Sequence, residues 1–330
     1  MTTVDLSRLG LKRVPESLRE SPDLKKLVLD DNQLVALPEW IGDFVHLEEL
    51  HVDQNKLTTL PRGLPKLDQL TTLSLRANRF TAMPDGLWEL RGLHKLVIGE
   101  NPLGVLPARV ANLAQLRELY IHANDLRALP DSIGHLEHLE ILDAGHNALV
   151  DVPASLGNLT KLTHFLYLSN NQLSNLPDAV SQCTQLRYLN VTHNRFIELP
   201  EWIGDLENLR ELRLYNNQLS TLPESIGELI KLKELHAMNN QLVALPDTLH
   251  SLMSLEHLDL RNNQVRMLPE SLRLLANLRV LDLRGNRLKI LPDWIAELPK
   301  LQKLDLRWNK LDTVPEWVSE HEQLGLAVYL

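Results

Sequence analysis

Fourteen of the 18 prolines stand in one column, running from Pro15, Pro38 and Pro61 to Pro292 and Pro315. Every step in that column is 23 residues except Pro153 to Pro177, which is 24. A second column of thirteen asparagines keeps the same spacing: Asn32, Asn55, Asn78, Asn101, Asn124, Asn147, Asn171, Asn194, Asn217, Asn240, Asn263, Asn286 and Asn309. Self-similarity at a fixed period of this size means a solenoid, in which no unit buries its own apolar face and stacked neighbours share one core. The 330-residue length would otherwise suggest two domains, but that prior does not apply to a repeat array.

Around each Asn the pattern is L-x-x-L-x-L-x-x-N-x-L-x-x-L-P, as in Leu278-Arg279-Val280-Leu281-Asp282-Leu283-Arg284-Gly285-Asn286-Arg287-Leu288. Alternation in the L-x-L core predicts a short strand with its leucines inward. The Asn turns the chain, its amide serving backbone groups in the bend, and the Pro stiffens the return. The remainder, such as Glu201-Trp202-Ile203-Gly204-Asp205-Leu206, carries apolar residues at helical spacing and predicts a short helix or 3₁₀ turn on the outer side. Leu supplies 76 residues, enough apolar surface to exclude global disorder.

These residues resemble the leucine-rich repeat family over about residues 2–330, in the 23-residue class marked by L-P-x-x-I-G-x-L. Leu222-Pro223-Glu224-Ser225-Ile226-Gly227-Glu228-Leu229 carries that motif in full, similar to Ras-group and many bacterial repeat proteins. The resemblance implies an α/β solenoid, a horseshoe with a parallel sheet on its concave face and short helices or 3₁₀ turns on its convex face. It also implies a protein-binding scaffold with ligands on the concave face.

The chain is expected to form a single leucine-rich repeat domain over 1–330. An N-terminal half-repeat and cap takes 1–23, thirteen repeats take 24–323, and a terminal strand takes 324–330. In the opening half-repeat Leu9 stands in the Asn slot. An apolar edge strand at Leu324–Leu330 invites pairing, either with a continuation of the chain or with a second copy in a homodimer.

Catalysis finds little to work with. Cys183, the sole thiol, occupies a slot that holds Leu in ten other repeats, and so reads as a core residue. No phosphate-cradling glycine loop, nucleophile elbow, H-E-x-x-H or C-x-x-C is present, and the repeats consume the chain. No cofactor is expected. His122 and His146 on adjacent predicted strands lack a third ligand, so no metal site is expected. With 34 basic and 43 acidic residues the net charge is −9, which disfavours a nucleic acid partner. No apolar stretch reaches membrane-spanning length, and no membrane partner is expected. The lone cysteine and the absence of a Sec-type signal pattern place the expectation in the cytoplasm, or in a host cytosol for a delivered bacterial effector.

Side chains at Asn−6, −4, −2 and −1 are expected to face solvent on the concave side, while −8, −5 and −3 face the core. Four of the five tyrosines (Tyr120, Tyr167, Tyr188 and Tyr215) take these outward slots, which make up only 56 of 330 positions. His122, Arg213 and His236 lie in the same neighbourhood, as do Phe165 and Met238. Tyr, Arg and Met are characteristic interface residues, so these positions are the candidate protein-binding site, with Tyr120, Tyr167, Tyr188 and Tyr215 as anchors. The 24-residue step falls here too, at Leu162-Thr163-His164-Phe165-Leu166, where the extra residue either bulges the strand or is absorbed in a loop. A Trp column (Trp40, Trp202, Trp294 and Trp317) reads as convex packing. Further on, Asp259, Asp282 and Asp305 stand beside Arg261, Arg284 and Arg307, either a solvated ladder or a second contact zone centred on Arg307 and Trp308. The function expected from these features is a non-enzymatic scaffold for a protein partner. The alternative is the recognition module of a larger enzyme or effector, such as a kinase or ubiquitin ligase.

Overall fold

The computed structural model describes residues 2–330, which divide into two compact units, one ending at Asn171 and one running from Gln172 to Leu330. The first unit contains β1 (Thr3–Asp5), β2 (Lys26–Val28), β3 (Glu49–His51), β4 (Thr72–Ser74), β5 (Lys95–Val97), β6 (Glu118–Tyr120), β7 (Ile141–Asp143) and β8 (Phe165–Tyr167). The second contains β9 (Tyr188–Asn190), β10 (Glu211–Arg213), β11 (Glu234–His236), β12 (His257–Asp259), β13 (Val280–Asp282), β14 (Lys303–Asp305) and β15 (Ala327–Tyr329). Within each unit successive strands pair in parallel with equivalent residues opposite one another, as in Leu27↔Leu50 and Leu235↔Leu258. The ladder runs beyond the three-residue strands, since the Leu29 amide donates to His51 O at 2.8 Å.

The inward columns form the core as expected: Leu27, Leu50, Leu73 and Leu96 of the first unit, and Leu212, Leu235 and Leu258 of the second, are fully buried. Each strand from β2 to β14 is followed by the Asn bend. Asn55 donates from Nδ2 to Leu29 O of the preceding rung (3.0 Å) and to Asp53 O of its own (2.9 Å). Its Oδ1 accepts from the Leu34 amide at 3.0 Å, so one side chain satisfies buried groups of two rungs. The residue just before the Asn is left-handed in nearly every rung, for example Asp31 at φ 53°, Ala123 at φ 52° and Trp308 at φ 62°. Only Gly285 in this column is glycine, so the bend holds its strain through the Asn hydrogen bonds.

Each column Pro from Pro84 to Pro292 precedes a 3₁₀ turn, with φ between −64° and −72°. Its carbonyl accepts the first bond of that turn, as Pro223 O does from Ile226 N at 3.1 Å. The outer segments are therefore 3₁₀ turns, typically five residues such as Glu201–Asp205. Neighbouring turns approach so closely that a Cβ on Gly227 would stand 2.5 Å from Thr248 O, which accounts for glycine in the I-G step. α1 (Trp317–Gln323) is the one α-helix among the described residues.

One expectation needs correction at the C-terminus, and the structure decides between the two alternatives for the insertion. The terminal strand spans Ala327–Tyr329, not 324–330, because Leu324 closes α1 and Gly325 turns the chain at φ 101°. The extra residue of the 24-residue step does not bulge the strand. Ile141↔Phe165 and Asp143↔Tyr167 keep the register, and the insertion is absorbed between Leu162 and β8. The Trp column packs as expected: Trp294 and Trp317 are buried, and Trp40 sets its ring edge-on to Phe44 at 5.8 Å.

Candidate functional site

The outward columns of the strands bear the candidate residues, and alternation decides which of them meet. Two residues apart on one strand, side chains share a face. The triplets Glu118-Leu119-Tyr120, Glu211-Leu212-Arg213 and Glu234-Leu235-His236 therefore set a carboxylate beside each candidate side chain. Tyr120 Oη donates to Glu118 Oε2 at 3.1 Å, Arg213 Nε pairs with Glu211 Oε1, and His236 Nε2 lies 2.9 Å from Glu234 Oε2. These glutamates are partners that the candidate set drawn from the sequence does not include, although the E-L-Y, E-L-R and E-L-H triplets carry the signal. Each carboxylate gives its neighbour a side-chain partner on the same face.

In the first unit, Tyr120 is half-buried with Lys95 Nζ 5.2 Å over its ring. Burial, then the Glu118 charge, pushes its phenol well above the usual range, leaving a neutral donor. His122 lies flat against Gly99, where a Cβ would come within 2.6 Å of the ring. Its Nδ1 is 3.3 Å from Asp143 Oδ2, an ion-pair contact whose geometry is off-line for a hydrogen bond, and its Nε2 is 3.6 Å from Glu100 Oε1. Asp143 chiefly, with Glu100 assisting, raises the imidazole pKa against the opposing effect of burial. A proton held more tightly in the folded state stabilises fully below the unfolded value near 6.5, and that stabilisation fades as pH rises through the folded value. An NMR titration of His122 should give a midpoint above 6.5, and Asp143→Asn should bring it down. Tyr167 is half-buried and stacks obliquely on the exposed Phe165, with centroids 5.8 Å apart.

In the second unit, one expectation fails. Tyr188 occupies an outward slot but is only 7 % exposed. The Arg213 guanidinium lies 5.5 Å over its ring, and Asn190 Nδ2 donates to its hydroxyl at 3.3 Å. Tall polar neighbours on a pleated face have closed over it, so Tyr188 supports Arg213 from beneath instead of offering itself as an anchor. Tyr215 is half-buried and edge-on to His193 at 5.4 Å. Glu211, Glu234 and His236 bring ligand atoms within 4.8 Å of one another, but Arg213 already neutralises Glu211. Further along, the Asp–Arg columns form a ladder in which Arg284 bridges Asp282 (2.8 Å) and Asp305 (3.3 Å), and Arg307 closes on Asp305 at 2.7 Å. The ladder reading stands, but not its solvation: Asp305 is fully buried. Cys183 is buried too, and burial pushes its thiol up to about 11, far from a nucleophile's range.

Repeating parallel rungs with inward leucine columns, an Asn bend and an outer 3₁₀ turn define a repeat solenoid. Leucine-rich repeat models match residues 22–80, 68–126, 91–149 and 253–311, and a leucine-rich repeat region matches residues 170–267. The chain belongs to the leucine-rich repeat family, whose fold commonly serves as a protein-binding scaffold. It is similar to the leucine-rich repeat protein LIC12759 of Leptospira interrogans at 32 % identity and TM-score 0.94, covering all of this chain and 84 % of that one. It also resembles the plant peptide hormone receptor RGFR1, solved in complex with RGF2, at 29 % identity and TM-score 0.72. The match covers 94 % of this chain and 55 % of that one. An internalin of Listeria monocytogenes, at 23 % identity and TM-score 0.77 over 88 % of this chain and 83 % of that one, shares the fold. No curated protein matches the chain. Among the described residues no helix is long and apolar enough to cross a membrane.

Proposed function

We propose that this chain is a non-enzymatic scaffold that binds another protein through the strand faces of its repeats. The observation that carries this reading is the set of Glu-braced side chains on those faces: Tyr120 by Glu118, Arg213 by Glu211, and His236 by Glu234. In the first unit Tyr120, His122 and Tyr167 make contact. In the second, Arg213, Tyr215 and His236 do so, with Tyr188 as the platform under Arg213. The peptide ligand of the RGFR1 complex supports a polypeptide as the class of partner.

The test is affinity capture from native lysate with wild-type protein, followed by titration of the recovered partner against Tyr120→Ala/Tyr215→Ala. Truncating two anchors should weaken binding by at least about tenfold, on the usual scale of interface hot spots. The melting temperature should fall by only a few degrees, about what half-buried side chains contribute. Unchanged affinity in the double variant would remove the strand faces as the contact surface.

A further inference from the structure

On the strand face of the C-terminal rungs every arginine has an acid: Arg261 pairs with Asp259, Arg284 with Asp282, and Arg307 with Asp305. The stretch just after the Asn bend in the same rungs is different. Arg266, Arg287, Lys289 and Lys310 are all exposed there, and among the described residues none is in an ion pair. In the two rungs before them the equivalent slots are uncharged, with Gln218 and Ser220, then Gln241 and Val243. Four unpaired cations thus gather on one flank of a chain whose net charge is −9.

They rim an apolar floor. Met267 and Ile290 are 79 % and 74 % exposed, among the most exposed apolar side chains of the protein. With the four cations they line one groove of about 530 Å³. A second groove of about 600 Å³ adjoins it through the shared residues Arg266 and Met267 and extends over Val243 and Leu245. Exposed apolar surface inside a concavity marks a site for inserted side chains, and a rim of unpaired cations selects the sign of what surrounds them. Asp312, in the slot after Lys289 on the next rung, bounds the positive zone.

We propose that this flank of the second unit, with Met267 and Ile290 as floor and Arg266, Arg287, Lys289 and Lys310 as rim, binds an acidic peptide segment carrying apolar side chains. Charge complementarity gives the acids their partners, and the groove gives the apolar residues theirs. A nucleic acid would leave the floor uncovered and would meet the repulsion of the remaining negative charge. This surface is separate from the strand faces, so a partner can occupy either without the other.

The probe is a labelled synthetic peptide of about twelve residues, with Glu at most positions and Leu at every third. Fluorescence anisotropy should show saturable binding that weakens as salt rises. Arg287→Glu/Lys289→Glu and, separately, Met267→Ser/Ile290→Ser should each lower affinity by at least about tenfold, as loss of interface anchors does. Circular dichroism melts on both variants keep a folding defect from being read as a binding defect. The strand-face variant Tyr120→Ala/Tyr215→Ala should bind the peptide as wild type does, which separates failure here from failure of the proposed function. The proposal is overturned by no binding, by equal binding of a peptide with Lys in place of Glu, or by affinity unchanged in both flank variants. Binding of phosphatidylserine vesicles or a single-stranded oligonucleotide in preference to the peptide would overturn it as well.

Discussion

Asn240→Ala should destabilise the protein by about 2–3 kcal/mol, because one buried N–H loses its only partner at about 1–3 kcal/mol and three carbonyls each lose one of two bonds. Asn240 is buried, and its Nδ2 donates to Leu214 O (3.1 Å), Ala237 O (3.1 Å) and Met238 O (3.2 Å). Its Oδ1 accepts from the Leu219 amide at 3.0 Å. Alanine strands the Leu219 amide of the preceding rung and removes one bond from each carbonyl, although Leu214 O keeps Asn217 Nδ2, Ala237 O keeps Asn263 Nδ2 and Met238 O keeps the Asn216 amide. Asn240→Asp should fare little better, since a carboxylate has no proton for the three carbonyls that converge on Nδ2. Gln241→Ala, one residue on and exposed, should change stability by less than about 0.5 kcal/mol. Urea unfolding of the three variants measures this; a small loss in Asn240→Ala would mean that water replaces the amide and that the column is not what ties rung to rung.

Asp305→Asn should cost about 2–3 kcal/mol at pH 7, towards the lower end for breaking a buried ion pair, because both arginines keep some solvent. The carboxylate is fully buried and takes Arg307 Nε at 3.0 Å, Arg307 Nη2 at 2.7 Å and Arg284 Nε at 3.3 Å. Burial by itself would raise its pKa, but the side-chain and backbone hydrogen bonds from Arg307, with the Arg284 charge, together outweigh it and hold the group below the ordinary 3.8. A carboxyl depressed in the folded state adds stability that is present above its unfolded value and lost as pH falls through the folded one. The difference in unfolding free energy between wild type and Asp305→Asn should therefore narrow as pH drops below 3.8. A difference that stays constant down to acid conditions would show that charge contributes nothing and that only shape was lost.

Both predictions rest on columns visible in the sequence, yet the two columns were legible to different degrees. The role of Asn240 follows from its recurrence at a fixed distance after the L-x-L pair, because only a side chain with both a donor and an acceptor serves a bend that recurs identically. The Asp–Arg columns could be placed on one face by alternation, but their burial could not. Whether an outward carboxylate is solvated depends on how far its neighbours lean over it, and that is a property of adjacent rungs. Tyr188 shows the same limit. Its slot is as outward as that of Tyr215, and Arg213 and Asn190 determine that it ends up covered. The Glu partners of Tyr120, Arg213 and His236 were, by contrast, within reach of the sequence, since two-residue spacing on a strand is a local rule.

The sequence alone therefore determined the period, the inward leucine columns, the Asn bend and the Pro that starts each outer turn, all of which depend on residues near in the chain. Only the tertiary structure decided which outward side chains reach solvent and where the inserted residue before β8 is absorbed. It also decided that cations from successive rungs line one groove. These outcomes arise between residues about 23 apart that are laid side by side, and lateral packing across rungs, not the propensity of any one segment, sets them.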